Sequence, residues 1–95
     1  MGIALDISEG GILVETPTCI NSSSVRLAAT DNKKNLTEVK GIINRTQKKS
    51  DGMYLHGIKF IDTNERVSKF VAIVIKEYNF RGNNLTIKVK QMIKS

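Results

Sequence analysis

The stretch Asp6-Ile7-Ser8-Glu9-Gly10-Gly11-Ile12-Leu13-Val14 places two short polar side chains and two glycines between apolar runs. This pattern predicts a turn between two β-strands. Asp6 and Ser8 can hydrogen-bond a ligand from the same edge of an extended chain. We expect Gly10 and Gly11 to adopt backbone angles closed to other residues and to leave room for a bulky partner, so that nearby amides can hold a phosphate.

Short strands separated by turns dominate the first two thirds of the chain. In the first strand, Ile3, Leu5 and Ile7 alternate with smaller or polar residues, which predicts Asp6 on the face away from this apolar set. The later predicted strands cover residues 11–16, 25–29, 36–46 with a bend at Gly41, and 53–61, where Tyr54, His56, Ile58 and Phe60 share one face. Strands of this length and spacing indicate an antiparallel barrel.

The hydrophobic period changes after Asp62, which indicates a helix. Asp62 with Glu65 three positions later predicts the helix cap. Apolar side chains then recur at helical spacing at Val67, Phe70, Val71, Val74 and Tyr78. We expect an amphipathic helix of about four turns, ended by Gly82-Asn83-Asn84.

The last segment, residues 81–95, is basic and is predicted to contain a strand with Leu85, Ile87 and Val89 on one face. Four of the 15 basic residues and none of the 9 acidic ones lie beyond Tyr78. Such a tail can attract nucleic acid, an anionic membrane surface or an acidic partner, or its lysines can simply protect a solvated strand edge. We expect the strand to pair with an open barrel edge, in its own chain or in a neighbour's.

Composition bounds the class of protein. With 95 residues, 40% of them apolar and 25% charged, the chain fits one folded globular domain. No apolar run reaches transmembrane length and the start does not resemble a signal peptide, so a cytoplasmic location is expected. The single cysteine, Cys19, excludes an internal disulfide, and we expect it to be a small filler side chain in a loop.

Catalytic and metal chemistry find little support in the residues. The single histidine, His56, lies within a predicted strand, where a structural role is expected; a hydrolytic triad with Asp6 and Ser8 would need it to approach them in space. No second histidine or cysteine stands at ligand spacing, so neither a zinc site nor a catalytic residue is predicted. Five aromatic residues without a cluster argue against a nucleic-acid-binding barrel.

The pattern Asp-x-Ser-x-x-Gly at Asp6, Ser8 and Gly11, followed directly by an apolar strand, resembles the signature of the PilZ domain family. Later segments follow in a similar order: Gly41-Ile42-Ile43-Asn44-Arg45, a polar turn, His56-Gly57-Ile58-Lys59-Phe60-Ile61 and a helix. The resemblance covers residues 2–78. It implies a mainly β fold, a small antiparallel barrel with one C-terminal helix in residues 1–80, to which residues 81–95 add a basic extension.

The resemblance also implies a function, that of a bacterial receptor or adaptor domain for the second messenger cyclic di-GMP. Asp6 would accept hydrogen bonds from a guanine edge, and Ser8 with the amides around Gly10 and Gly11 would meet phosphate. No cofactor besides this ligand is implied. The alternative is a PilZ-like adaptor that binds no ligand and acts through protein contacts, with a protein partner or a second copy of the chain.

One part of the family signature, an Arg-x-x-x-Arg element, is not seen before Asp6, where only five residues stand and none is basic. The arginines further along, Arg26, Arg45, Arg66 and Arg81, do not recreate its spacing. Either the element lies upstream of Met1, or the chain is a divergent member. Each arginine contact of this kind is worth about 1–3 kcal/mol of discrimination, so Asp6, Ser8 and Gly11 alone predict a weak site.

Overall fold

Six β-strands and one α-helix make up the part of the chain that the computed structural model describes, residues 2–81 and 85–91, with the side chains of residues 78–81 and 85 outside that description. In chain order these are Gly2–Ile7 (β1), Gly11–Thr16 (β2), Ser24–Thr30 (β3), Leu36–Lys48 (β4), Tyr54–Phe60 (β5), Asn64–Arg81 (α1) and Leu85–Gln91 (β6). Helix α1, the one helix in these ranges, lacks the combination of length and apolar character that crossing a bilayer requires.

The strands form a closed barrel in the order β1-β2-β5-β4-β3-β6, with every pair antiparallel. The predicted mainly β fold, an antiparallel barrel with one C-terminal helix, is confirmed, and the predicted terminal strand forms as β6. It pairs with β1 and β3 of its own chain. The side chains of Lys88 and Lys90 on β6 are exposed, but a closed barrel has no free edge for them to protect.

The core is built by the barrel and the helix together. It contains Ala4, Ile12, Val14, Val25, Leu27, Val39, Ile58, Phe60 and Ile87 from strands, and Val67, Phe70, Val71 and Val74 from α1. Phe70 is fully buried and meets Phe60 edge-on, with 5.8 Å between ring centroids. The predicted apolar face of the helix is therefore confirmed at these four positions. The predicted contribution of Tyr78 and the predicted stop at residues 82–84 lie outside the described residues.

The first strand departs from its predicted alternation because it contains a β-bulge. Ala4 and Asp6 pair with adjacent residues of β2, so Leu5 is the extra residue. The bulge leaves Leu5 39% exposed while Ala4 packs in the core. Treating Ile3, Leu5 and Ile7 as one core face was wrong, since alternation does not continue across a bulge. Asp6 is exposed, as predicted.

A second bulge interrupts β4 at Asn44, beyond the predicted bend at Gly41. In the pairing of β4 with β5 the register shifts between Ile43 and Arg45, which makes Asn44 the extra residue. Gly41 stays in regular pairing with Phe60. Bulges re-aim side chains near functional sites, and this one determines where Asn44 lies.

The start of α1 also differs from its prediction. The cap is Thr63, whose Oγ1 accepts a hydrogen bond from Arg66 N at 3.3 Å. Asp62, the predicted cap, accepts instead from Thr63 N at 2.8 Å and from Lys40 N at 3.0 Å, and these bonds lower the pKa of its carboxyl. Asp62 thus joins the start of the helix to β4. From Asn64 the helix runs 18 residues, about five turns rather than four.

Candidate ligand-binding cleft

A surface cleft of about 400 Å³ lies where the loop between β1 and β2 meets β5 and the bulge of β4. That volume is within the range of small-molecule sites. Its walls include the four predicted site residues, Asp6, Ser8, Gly10 and Gly11. The structure adds residues that the sequence did not indicate: Asn44, Gly57 and Lys59, with Ile7, Ile12, Leu13 and Ile58 as apolar lining.

The loop on one side of the cleft is held by its own hydrogen bonds. Ser8 N donates to Gly11 O at 2.9 Å, and Ser8 Oγ accepts from Gly10 N at 3.3 Å. Phe60 N donates to Gly10 O at 3.1 Å, which ties the loop to β5. Because Ser8 Oγ acts as an acceptor within the loop, its hydroxyl proton remains able to donate to a ligand.

The special backbone angles predicted for Gly10 and Gly11 were wrong, whereas the predicted open space is present at Gly10. Neither takes a positive φ; among the described glycines only Gly52, at 88°, does so. Gly11 is required by close approach, because a β-carbon there would collide with the carbonyl oxygen of Ile58 on β5. At Gly10 a β-carbon would meet only Ser8 Oγ at 3.8 Å, an ordinary contact. Gly11 therefore allows the close approach of β2 and β5, while the absence of a side chain at Gly10 leaves open space beside the cleft.

We expect Gly11→Ala and Gly10→Ala to separate these roles. Overpacking against backbone costs about 1–3 kcal/mol, so Gly11→Ala lowers the free energy of unfolding by that amount. Gly10→Ala changes it by less than about 0.5 kcal/mol, as surface substitutions do. Urea unfolding followed by circular dichroism measures both. Equal unfolding midpoints for the two variants would contradict the steric assignment.

Three polar side chains in the cleft are not engaged by the protein itself. Asp6, Asn44 and Lys59 are exposed, and among the residues whose side chains the structure describes, none of the three forms a side-chain hydrogen bond or ion pair. Asn44 lies across Gly57, where a β-carbon would sit 3.1 Å from Asn44 Oδ1. Lys59 pairs directly with Gly11 in the β2–β5 register. The cleft thus offers a carboxylate, an amide and a cation to a ligand.

His56 faces the barrel interior and not the cleft. It is fully buried, with Nε2 at 3.0 Å from Thr16 Oγ1 and Nδ1 at 3.0 Å from Thr46 Oγ1. Because Thr16 donates its own proton to Thr18 O at 2.6 Å, it accepts from His56 Nε2–H, and Nδ1 accepts from Thr46. Burial lowers the pKa of His56, which favours this neutral form. The hydrolytic triad with Ser8 is therefore not formed.

Two further predictions concern cysteine and metal. Cys19 lies in the loop after β2, as predicted, and its side chain is exposed. Within the described ranges, no three His, Cys, Asp or Glu side chains are grouped so as to hold a metal ion.

The comparisons with known proteins give one finding. A family model described as PilZ domain matches residues 1–76. No match was found among curated proteins, and none among solved structures.

Proposed function

Because the chain belongs to the PilZ domain family, a family of cyclic di-GMP receptor domains, we propose that it binds cyclic di-GMP in bacterial second-messenger signalling. The observation that carries this proposal is that Asp6, Ser8, Gly10 and Gly11 all line one cleft. We place the domain in the cytoplasm, where ligand binding changes its contacts with a protein partner.

The chemistry of the cleft suits a guanine nucleotide with phosphodiester groups. The carboxylate of Asp6 is an acceptor, and it can take hydrogen bonds from the N–H groups on the Watson–Crick edge of guanine. Ser8 can donate its hydroxyl proton to a phosphate oxygen while its Oγ still accepts from Gly10 N. The absence of a side chain at Gly10 lets a bulky ligand reach these groups.

A second candidate function is a PilZ-like adaptor that binds no ligand and acts by protein contact. It is favoured by an apolar groove of about 140 Å³ between β1 and α1, lined in part by Leu5 and Ile75. These side chains are 39% and 44% exposed. A protein partner that docks here would cover these two apolar side chains. Because Asp6 and Ile7 line both the groove and the cleft, ligand and partner binding can also be coupled.

Calorimetric titration with cyclic di-GMP, with GTP as the control ligand, tests the receptor proposal. We expect binding to cyclic di-GMP, and a loss of roughly tenfold or more in affinity in Asp6→Ala and in Ser8→Ala. Glu38→Ala is the matched control, because Glu38 is an exposed acid outside the cleft, and it should bind like the unmodified chain. Absence of binding at high protein concentration would contradict the receptor proposal and favour the adaptor.

A further inference from the structure

The second wall of the cleft is formed by β5 and the bulge of β4, and it carries the cleft's one cation among the described lining residues. That cation is Lys59. The first wall, the β1–β2 loop, supplies the Asp6 carboxylate and the Ser8 hydroxyl but no positive charge. A carboxylate and a hydroxyl alone make a weak site for a ligand with two phosphodiester groups, since the carboxylate repels its phosphates.

From this geometry we infer that Lys59 binds a phosphate of the ligand and that Asn44 hydrogen-bonds the same ligand from the second wall. The inference rests on the proposed function and adds to it two residues that lie outside the Asp-x-Ser-x-x-Gly pattern. They determine affinity and specificity from strands β4 and β5.

The barrel places Lys59 beside the loop without an acidic partner among the described residues, so its charge is available to an anion. Its pairing with Gly11 places it on the strand directly beside the loop, and the residue it faces has no side chain to cover it. Its ammonium forms no ion pair with any described residue, whereas Lys49 is engaged by Glu15 at 2.7 Å and by Asp51 at 3.3 Å. A lysine is a compact charge with three donors, which suits a phosphate approached from varied directions.

Asn44 reaches the cleft through two features of the backbone. The β4 bulge makes it the extra residue between Ile43 and Arg45, and Gly57 on the neighbouring strand leaves space for its carboxamide. An amide can both donate and accept. It therefore complements Asp6, which only accepts, and lets the site distinguish a nucleotide base from a simple phosphate.

Calorimetric titration of the full chain with cyclic di-GMP at two salt concentrations tests this inference. We expect Lys59→Gln to lower affinity about tenfold or more, as loss of a charged hydrogen bond does, and to weaken the salt dependence of binding. Lys59→Arg keeps the charge and should stay within about threefold of the unmodified chain. Asn44→Ala should lower affinity as well. Lys40→Gln removes an exposed lysine outside the cleft and should change nothing.

Each other outcome bears on a different claim. If the unmodified chain binds and Lys59→Gln binds equally well with the same salt dependence, the assignment of Lys59 is overturned while the receptor proposal stands. If Lys59→Gln and Lys40→Gln lose affinity to the same extent, the effect is one of net charge, and the assignment is likewise overturned. If the unmodified chain does not bind cyclic di-GMP, the receptor proposal and this inference fall together. Circular dichroism of each variant confirms that the barrel is intact.

Discussion

A chain ending at residue 81, which lacks β6, is expected not to form a cooperatively folded barrel. Strand β6 pairs with both β1 and β3, so its loss leaves two unpaired edges. It also removes Ile87, which is 2% exposed, from the core. Open edges with exposed apolar surface favour aggregation. We expect a urea titration followed by circular dichroism to show no sigmoidal transition, and size-exclusion chromatography to show aggregates.

The matched control is the full chain carrying Lys88→Gln and Lys90→Gln. Both lysines have exposed side chains on β6, so the double variant removes the charge of the strand while keeping its pairing. It should unfold like the unmodified chain. A truncated chain that is monomeric and unfolds cooperatively with native circular dichroism would show that closure by β6 is dispensable.

Phe70→Ala is expected to lower the free energy of unfolding by about 3–5 kcal/mol, the usual cost of emptying a buried phenylalanine site. Phe70 is fully buried and packs edge-on against Phe60 at the junction of helix and barrel. A small domain has only about 5–15 kcal/mol of stability in total. The variant should therefore unfold at much lower urea concentration, as measured by circular dichroism.

Ile75→Ala on the same helix is the control for Phe70→Ala. Ile75 is 44% exposed, so its truncation should cost less than about 1 kcal/mol. If the two substitutions shift the unfolding midpoint equally, Phe70 does not anchor α1 in the barrel core. The packing of the helix on the barrel described above would then be wrong.

The strands of the barrel could be predicted from alternation and turns, but the two bulges could not. A bulge is a property of a strand pair, and the residues around Leu5 and Asn44 give no local sign of it. Treating Ile3, Leu5 and Ile7 as one face failed for this reason. The register of β4 passes Gly41 without interruption and shifts only at Asn44.

The helix cap and the loop glycines show tertiary contacts overriding local rules. Asp62 has a side chain that favours helix caps, yet its carboxylate accepts a hydrogen bond from Lys40 N of β4. Thr63 caps the helix instead. Gly11 is a glycine because Ile58 O lies against it, and not because its φ is positive. Neither contact is visible without the fold.

One of the two walls of the candidate site could be predicted from the sequence. Asp6, Ser8, Gly10 and Gly11 all lie within residues 6–11, so a local pattern could predict their wall of the cleft. The opposite wall depends on the register between β2 and β5, which places Lys59 beside Gly11. Alternation in β5 indicates that Lys59 points outward, but only the closed barrel shows what it faces.

The most direct test of the cleft as a cyclic di-GMP site is a nuclear magnetic resonance titration of the isotope-labelled chain with this ligand. We expect chemical-shift changes to concentrate at the amides of residues 6, 8, 10, 11, 44, 57 and 59, which line the cleft. Amides of Lys33 and Lys69, which do not line it, should not move. Shifts absent at these cleft amides, or concentrated instead on α1, would contradict the site.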